Sequence, residues 1–155
     1  MWDRLARQVQ VEFEQLERLL ATHRTLLERS EMDEPHGIEL SALAAMLHSF
    51  YTGVENLFKR VAVEIDGHVP EGDLWHRALL DQMAAPTGQR PPVISAELRD
   101  ALHQYLGFRH VFRQAYTFDL RWEKMRGLVL NCSSALRDVR EALDALLARG
   151  PGESP

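Results

Sequence analysis

The stretch LAAMLHSFYTGVENLFKRVAVEI, residues 43–65, decides the fold class. Its apolar side chains recur every three or four residues, which is the spacing of one face of an α-helix. The members of this stripe are Leu43, Leu47, Phe50, Val54, Leu57, Val61 and Ile65. A helix with such a continuous apolar stripe needs another element to cover it. The segment therefore predicts a long helix inside a helical bundle.

The same periodicity occurs on both sides of this helix. An earlier stripe runs through Trp2, Leu5, Val9, Phe13, Leu16, Leu20, His23 and Leu27. A later stripe runs through Trp122, Met125, Val129, Cys132, Leu136, Val139, Leu143 and Leu146. Strand-type alternation of useful length is absent from the sequence. We predict a single all-α domain over residues 1–149, an up-and-down bundle of about five helices, and a disordered tail at 150–155.

Turn and capping residues predict where the helices begin and end. Residues 30–37 (SEMDEPHG) separate the first two helices, and the proline-rich stretch 84–95 is the longest predicted loop. A side-chain oxygen at the N-cap position accepts a hydrogen bond from a free helix N–H. On that basis the predicted N-caps of the last three helices are Asp73, Ser95 and Asp119.

Composition excludes several classes of protein. Of the 155 residues, 45% are hydrophobic and 26% are charged, as in globular proteins with a buried core. No apolar run reaches the length of a membrane span, and the N-terminus is too charged for a signal peptide. The single cysteine, Cys132, excludes an internal disulfide framework, is consistent with a reducing cytoplasm, and falls in an apolar stripe as a core residue. Without metal-ligand spacing or a glycine-rich phosphate loop, we expect neither a metal site nor a cofactor.

Charge is distributed unevenly along the chain. The whole chain carries −5 at pH 7, but residues 99–126 contain six Lys or Arg against three Asp or Glu. That segment is therefore +3, which leaves −8 for the remainder. A local basic patch suits a polyanion or an acidic partner, and a solvated helix face is the simpler alternative. Outside this patch, Glu55 and Lys59 are predicted to form an ordinary ion pair on a helix surface.

Within the basic segment, the stretch GFRHVFRQAY (residues 107–116) places a charged side chain among apolar ones. Arg109 continues a stripe formed by Leu102, Tyr105, Phe112 and Tyr116. Such an arginine is costly unless it is paired or opens onto a cleft or partner, and an arginine extended along a helix edge is the structural alternative. Gln114 lies about 140° from Arg109 on an ideal helix, so the two converge only through a distorted helix or a second copy of the chain.

The segment YLGFRHVFRQAYTFDLRWEKM, residues 105–125, resembles the HepT-like toxins of the HEPN superfamily. Their signature is an arginine, four residues, a histidine, one residue and a tyrosine. Arg109 and Tyr116 match its first and last positions. Residues 49–67 and 72–83 also resemble that family's second and third helices in sequence. The likeness extends over roughly residues 40–128.

The resemblance implies a HEPN-type bundle that forms a homodimer and cleaves RNA, tRNA or mRNA, in an interface cleft without a metal ion. Arg109 would stabilise charge at the scissile phosphate, position 114 would transfer protons, and Tyr116 would help to hold substrate. The expected contacts to the RNA backbone are His110, Arg113, Arg121 and Lys124. The family further implies a type VII-like toxin–antitoxin pair, in which a nucleotidyltransferase antitoxin transfers AMP to Tyr116 and thereby blocks RNA.

The chain departs from the signature at the proton-transfer position, where Gln114 replaces the histidine. A glutamine amide cannot transfer a proton near neutral pH, and losing acid–base help typically slows a reaction ~10²- to 10⁴-fold. Three explanations are open: an engineered change that silences a toxin, a natural member that binds without cutting, or His110 in the same role. The sequence thus predicts an impaired ribonuclease toxin. The alternatives are an adaptor that holds a nucleotide or docks a nucleotidyltransferase, and a plain oligomerisation bundle.

Overall fold

A computed structural model describes residues 2–114 and 116–151 of the chain. Within the second range, it describes only the backbone of Thr117. Seven α-helices follow one another along these residues, and no β-strand occurs among them. They are α1 (Asp3–Thr22), α2 (Arg24–Ser30), α3 (Ile38–Val61), α4 (Trp75–Ala84), α5 (Ala96–Gln114), α6 (Trp122–Leu130) and α7 (Cys132–Arg149). This layout confirms the all-α prediction.

Two short turns complete the described chain. A π-helical turn, Ala62–Asp66, continues α3, and a 3₁₀ turn, Thr117–Asp119, follows α5. None of the described helices is both long enough and apolar enough to cross a bilayer. The predicted tail at 150–155 falls mostly outside the described residues, which end at Pro151.

The helix α3 is the centre of the bundle. It packs against α1, α4, α5 and α6, and thirteen of its 24 residues are buried. The stripe predicted from sequence is buried from Leu43 to Val61, and other faces of the helix bury Met46, Tyr51 and Phe58. Because α3 is covered on several sides, its few polar side chains are held in fixed positions. One of them, Glu55, belongs to the candidate site.

Helices α1 and α3 approach each other closely at Gly53. A Cβ atom at that position would lie 2.5 Å from Leu16 Cδ2, well inside van der Waals contact. A glycine inside a helix costs roughly 0.5–1 kcal/mol relative to alanine. The close packing of Leu16 against the α3 backbone offsets that cost. Gly53 therefore allows α1 and α3 to approach more closely than a residue with a side chain would.

The structure divides two of the predicted helices. The first stripe is interrupted at His23, between α1 and α2, and the last at Asn131, between α6 and α7. His23 Nδ1 lies 2.8 Å from Leu19 O, and Asn131 Nδ2 donates to Gly127 O at 2.7 Å. Side chains that bond to the carbonyls of the preceding turn compete with the helical hydrogen bonds. The result is seven helices instead of about five, with the apolar stripes retained.

One of the three predicted N-caps is confirmed. The Leu98 N–H donates to Ser95 Oγ at 3.0 Å. The predictions for Asp73 and Asp119 are wrong, because α4 is capped by Leu74 and α6 by Arg121, neither through its side chain. Each aspartate lies in a turn that ends before its helix begins, so its carboxylate is one or two positions too early.

A buried arginine fixes the proline-rich loop between α4 and α5. Arg90 has a fully buried side chain and donates from Nε to Asp66 Oδ1 at 2.8 Å and from Nη2 to Asp66 Oδ2 at 2.7 Å. Its Nη atoms also donate to the main-chain oxygens of Gln82, Ala85 and Pro91. A bidentate pair of this kind is the strong form of an ion pair. It ties the loop to the π-helical turn at the end of α3.

The substitution Arg90→Met is expected to lower the free energy of unfolding by about 3–5 kcal/mol, because it leaves the Asp66 carboxylate buried without a partner. Urea unfolding followed by circular dichroism measures the loss. The double variant Arg90→Met/Asp66→Leu should recover part of it, since both charges are then removed. A single variant that unfolds at the unmodified chain's urea midpoint would show that the pair does not hold the loop.

Candidate functional site

Arg109 is buried and points from α5 toward α3. Only 6% of its side chain is exposed. Its Nη1 lies 3.3 Å from Glu55 Oε1, and its Nη2 lies 3.1 Å from Glu55 Oε2. The Glu55 carboxylate is equally buried, with 5% of the side chain exposed. Of the arrangements that the sequence left open for an arginine in an apolar stripe, the structure has the paired one.

His76, on α4, is the third member of this site, which we call the Arg109 cluster (Glu55, His76 and Arg109). Its Nδ1 lies 2.7 Å from Glu55 Oε2 and 2.7 Å from Arg109 Nη2. The nitrogen can donate to the carboxylate or accept from the guanidinium, but not both at once. Whether Nδ1 carries a proton therefore decides whether His76 binds Glu55 or Arg109. With 28% of its side chain exposed, His76 is also where the cluster meets the surface.

Further side chains of α3 surround the guanidinium. Thr52 Oγ1 accepts from Arg109 Nη1 at 3.4 Å, and the Tyr51 ring centre lies 5.0 Å from Arg109 Cζ. Burial, and then the nearby Glu55 carboxylate, raise the pKa of Tyr51, so its phenol is neutral at physiological pH. A carboxylate, a hydroxyl and an aromatic face together compensate the buried charge.

The prediction that Glu55 and Lys59 form an ordinary surface pair is wrong. Glu55 faces inward to Arg109, while Lys59 Nζ lies 4.3 Å from the centre of the Trp75 ring in a cation–π contact. Trp75 in turn packs on His76, with ring centres 3.7 Å apart. The four-residue spacing of Glu55 and Lys59 fits a surface pair and also an inward-facing Glu55. Arg109, on α5, is the buried counter-charge that favours the inward position.

A sequence signal for Glu55 does exist. It falls in a second stripe with Tyr51 and Phe58 of α3 and Ala62 of the π-helical turn, at helical spacing, and all four residues are buried. Acidic side chains are almost never fully buried unless they are paired. A lone acid in this stripe therefore indicates a buried partner, although it does not identify that partner. For His76 we find no comparable signal in the sequence.

The other predicted site residues lie on the outer surface. The exposed ones are His110, Arg113, Gln114, Tyr116, Arg121 and Lys124. Helix α5 runs without interruption from Ala96 to Gln114, so a distortion that brings Gln114 toward Arg109 is not observed. Among the described residues, no hydrogen bond or ion pair joins these two side chains. Their convergence through a second copy of the chain stays a prediction.

Two exposed aromatic rings lie beyond the end of α5. Tyr116 and Phe118 are 72% and 81% exposed, and their rings stack with centres 5.2 Å apart and planes 7° apart. Arg113 precedes this pair and Arg121 follows it in the chain, both exposed. Exposed aromatic faces beside cationic side chains suit a single-stranded nucleic acid, because bases stack on the rings and phosphates bind the cations.

A groove of about 1070 Å³ opens between α5, α6 and the start of α7, away from the Arg109 cluster. Its lining is mostly apolar, with Phe108, Val111 and Leu128 among the side chains, and it includes the predicted RNA contacts Arg121 and Lys124. None of Glu55, His76 or Arg109 lines it. Size alone does not identify a reacting site, and the groups that suit phosphate chemistry converge at the cluster instead.

A second histidine, His48 on α3, contacts α5 three residues beyond Arg109, at Phe112. Its ring packs on Phe112, with centres 5.6 Å apart. Burial, and then the charges of Arg109 and Arg113, lower the pKa of His48, so this ring is neutral at physiological pH. Its Nδ1 is buried without a hydrogen-bond partner in the part of the chain that the structure describes.

Other groups with reactive potential are few. Across residues 2–114 and 116–151, no group of three or more His, Cys, Asp or Glu side chains is placed to hold a metal ion. Cys132 is completely buried, as predicted for a core residue, and burial raises the pKa of its thiol to about 12. Thiolate is the reactive form of cysteine, so this side chain is inert at neutral pH.

The substitution Glu55→Gln is expected to cost about 3–5 kcal/mol of unfolding free energy, because Arg109 would stay buried without a counter-charge. The matched control is Glu64→Gln, which removes a carboxylate from a pair with the largely exposed Arg4. That control should cost less than about 1 kcal/mol. Chemical unfolding of both variants measures the difference. Equal losses would mean that the buried pair is no more important than a surface pair.

A model of the HepT-like protein family matches residues 42–149, more than two thirds of the chain. The matched region runs from α3 to the end of α7, so it contains the complete Arg109 cluster and leaves out α1 and α2. No curated protein and no solved structure matches the chain significantly.

Proposed function

Since the chain belongs to the HepT-like family, we propose that it is an endoribonuclease toxin of the HEPN type, which cleaves cytoplasmic RNA such as tRNA or mRNA without a metal ion. The observation that carries the proposal is the buried Arg109, held by Glu55 and in contact with His76. Arginine with a fixed, planar fork is the side chain best suited to grip a phosphodiester.

In the proposed reaction, the ribose 2′-oxygen attacks the adjacent phosphorus, and the bond from phosphorus to the 5′-oxygen breaks. Negative charge increases on the phosphoryl oxygens as this happens. Arg109 supports the step because its guanidinium is already oriented, so little reorganisation is needed when the charge develops. Glu55 and Thr52 hold that orientation on α3.

Binding of the RNA backbone is assigned to four exposed side chains, His110, Arg113, Arg121 and Lys124. Phosphate contacts of this kind release counterions, so affinity should fall steeply as salt concentration rises. Tyr116 and Phe118 also support the proposal, because their stacked, exposed rings offer a face on which unpaired bases can stack.

We further propose that two copies of the chain complete the site. Gln114 and Arg109 leave α5 in different directions, so one protomer alone does not bring position 114 to the guanidinium. In a homodimer, position 114 of one protomer would meet Arg109 of its partner. The proposed inhibitor is a nucleotidyltransferase antitoxin that transfers AMP to Tyr116, whose ring is exposed. The added anion would repel the RNA backbone.

The second candidate is a non-catalytic adaptor that binds a nucleotide or docks a nucleotidyltransferase. Gln114 is the observation that favours it, because an amide neither accepts nor delivers a proton. An adaptor would keep the exposed cations and the aromatic pair for binding, and would leave RNA intact.

A cleavage assay on total tRNA and a defined mRNA, in EDTA, distinguishes the two candidates. We expect Gln114→His to cut ~10²- to 10⁴-fold faster than the unmodified chain, because it restores a proton carrier at the position where the family signature has its histidine. The matched control is Gln104→His, which adds a histidine at another exposed glutamine of α5 and should leave the rate unchanged. If Gln114→His does not cut while folded, dimeric and bound to RNA, the adaptor is the better account.

A further inference from the structure

We propose that His76 transfers the proton in the slower cleavage that this chain retains with a glutamine at position 114. The proposal rests on the ribonuclease function and deepens it. A general acid or base must lie within hydrogen-bond reach of the reacting group. His76 Nδ1 is 2.7 Å from Arg109 Nη2, so a phosphodiester gripped by that guanidinium lies beside the imidazole ring.

Glu55 gives His76 the partner that a proton-transferring imidazole needs. A carboxylate that accepts from Nδ1–H orients the ring and stabilises the imidazolium that forms when Nε2 takes up a proton. The distance of 2.7 Å between Nδ1 and Glu55 Oε2 suits that bond. In the other tautomer, Nδ1 accepts from Arg109 and Nε2 carries the proton. The ring thus acts as a base in the first tautomer, and the acid is the imidazolium formed when Nε2 takes up a proton, because the N–H of a neutral imidazole is too weak an acid.

The surroundings hold the ring while leaving an edge open. Trp75 covers one face at 3.7 Å between ring centres, and Lys59 binds the Trp75 ring in turn. The charged groups that face His76 are Glu55 from α3 and Arg109 from α5, and their charges offset each other. The exposed 28% of the side chain gives substrate and water access. Because α3, α4 and α5 are rigid helices, the geometry is preorganised.

Neither of the other two histidines near Arg109 has this arrangement. His110 follows Arg109 directly and is exposed on the outer surface of α5. His48 packs on Phe112, and its buried Nδ1 has no hydrogen-bond partner within the described residues. Of the histidines that the structure describes, His76 alone has a hydrogen-bond contact with Arg109.

In the proposed step, His76 Nε2 takes the proton of the ribose 2′-hydroxyl as its oxygen forms a bond to phosphorus. The bond from phosphorus to the 5′-oxygen breaks, and that oxygen takes a proton from water. The imidazolium then gives its proton to the hydroxide left behind. The products are a 2′,3′-cyclic phosphate and a 5′-hydroxyl end.

The test compares cleavage by the unmodified chain, His76→Gln and His103→Gln in EDTA, across the titration range of histidine, about pH 5–8. His103 is the matched control, because its side chain is also 28% exposed and faces a carboxylate, Asp81, at 3.8 Å. We expect His76→Gln to lower the rate by about 10²-fold or more and to abolish its rise with pH. His103→Gln should change neither. RNA affinity should be the same in all three.

Unchanged rate and pH profile in His76→Gln would overturn the proposal. Adding Gln114→His to His76→Gln separates chemistry from structure: restored cleavage supports a proton-transfer role, and a folded but inactive double variant refutes it. If Gln114→His cuts and the unmodified chain does not, His76 is not the proton carrier, yet the ribonuclease function stands. If no version cuts, the ribonuclease function fails, and the role of His76 fails with it.

Discussion

The ion pair between Arg109 and Glu55 links α5 to α3, the helix against which α1, α4, α5 and α6 all pack. Removing two charges from water is expensive, and a buried pair rarely stabilises a fold more than apolar side chains of the same volume would. Breaking such a pair on one side is nevertheless costly. The position is therefore constrained without being a source of stability.

A second buried arginine in the same chain shows what a purely structural role looks like. Arg90 makes its bonds to Asp66 at 2.7 and 2.8 Å, uses its other donors on main-chain oxygens and has no exposed side-chain surface. Arg109 instead holds Glu55 at the longer distances of 3.1 and 3.3 Å, and another of its neighbours is a partly exposed histidine. The two arginines therefore differ in the length of their ion-pair bonds and in their access to the surface, which Arg109 has only through His76.

The parts of the fold that follow from local rules could be predicted from the sequence. The buried stripe of α3, the Ser95 cap and the inert Cys132 each depend on neighbours within one helix. The sequence also marked Arg109 as an arginine that needs a partner. Its partner, however, lies 54 residues earlier on another helix, and a packing arrangement decides such a pair. His76 and the Arg90–Asp66 pair were missed for the same reason.

The proposed ribonuclease function depends on an RNA phosphate reaching Arg109 in the Arg109 cluster. The most direct measurement is a ¹⁵N NMR titration of the arginine side chains with a single-stranded 2′-deoxy oligonucleotide, a probe that has phosphates and bases but no 2′-hydroxyl to react. The Arg90 signal serves as an internal reference, because its donors are closed off inside the fold. We predict that the Arg109 signal shifts with saturation and that the Arg90 signal stays in place. Binding of the oligonucleotide with both signals unmoved would contradict the account.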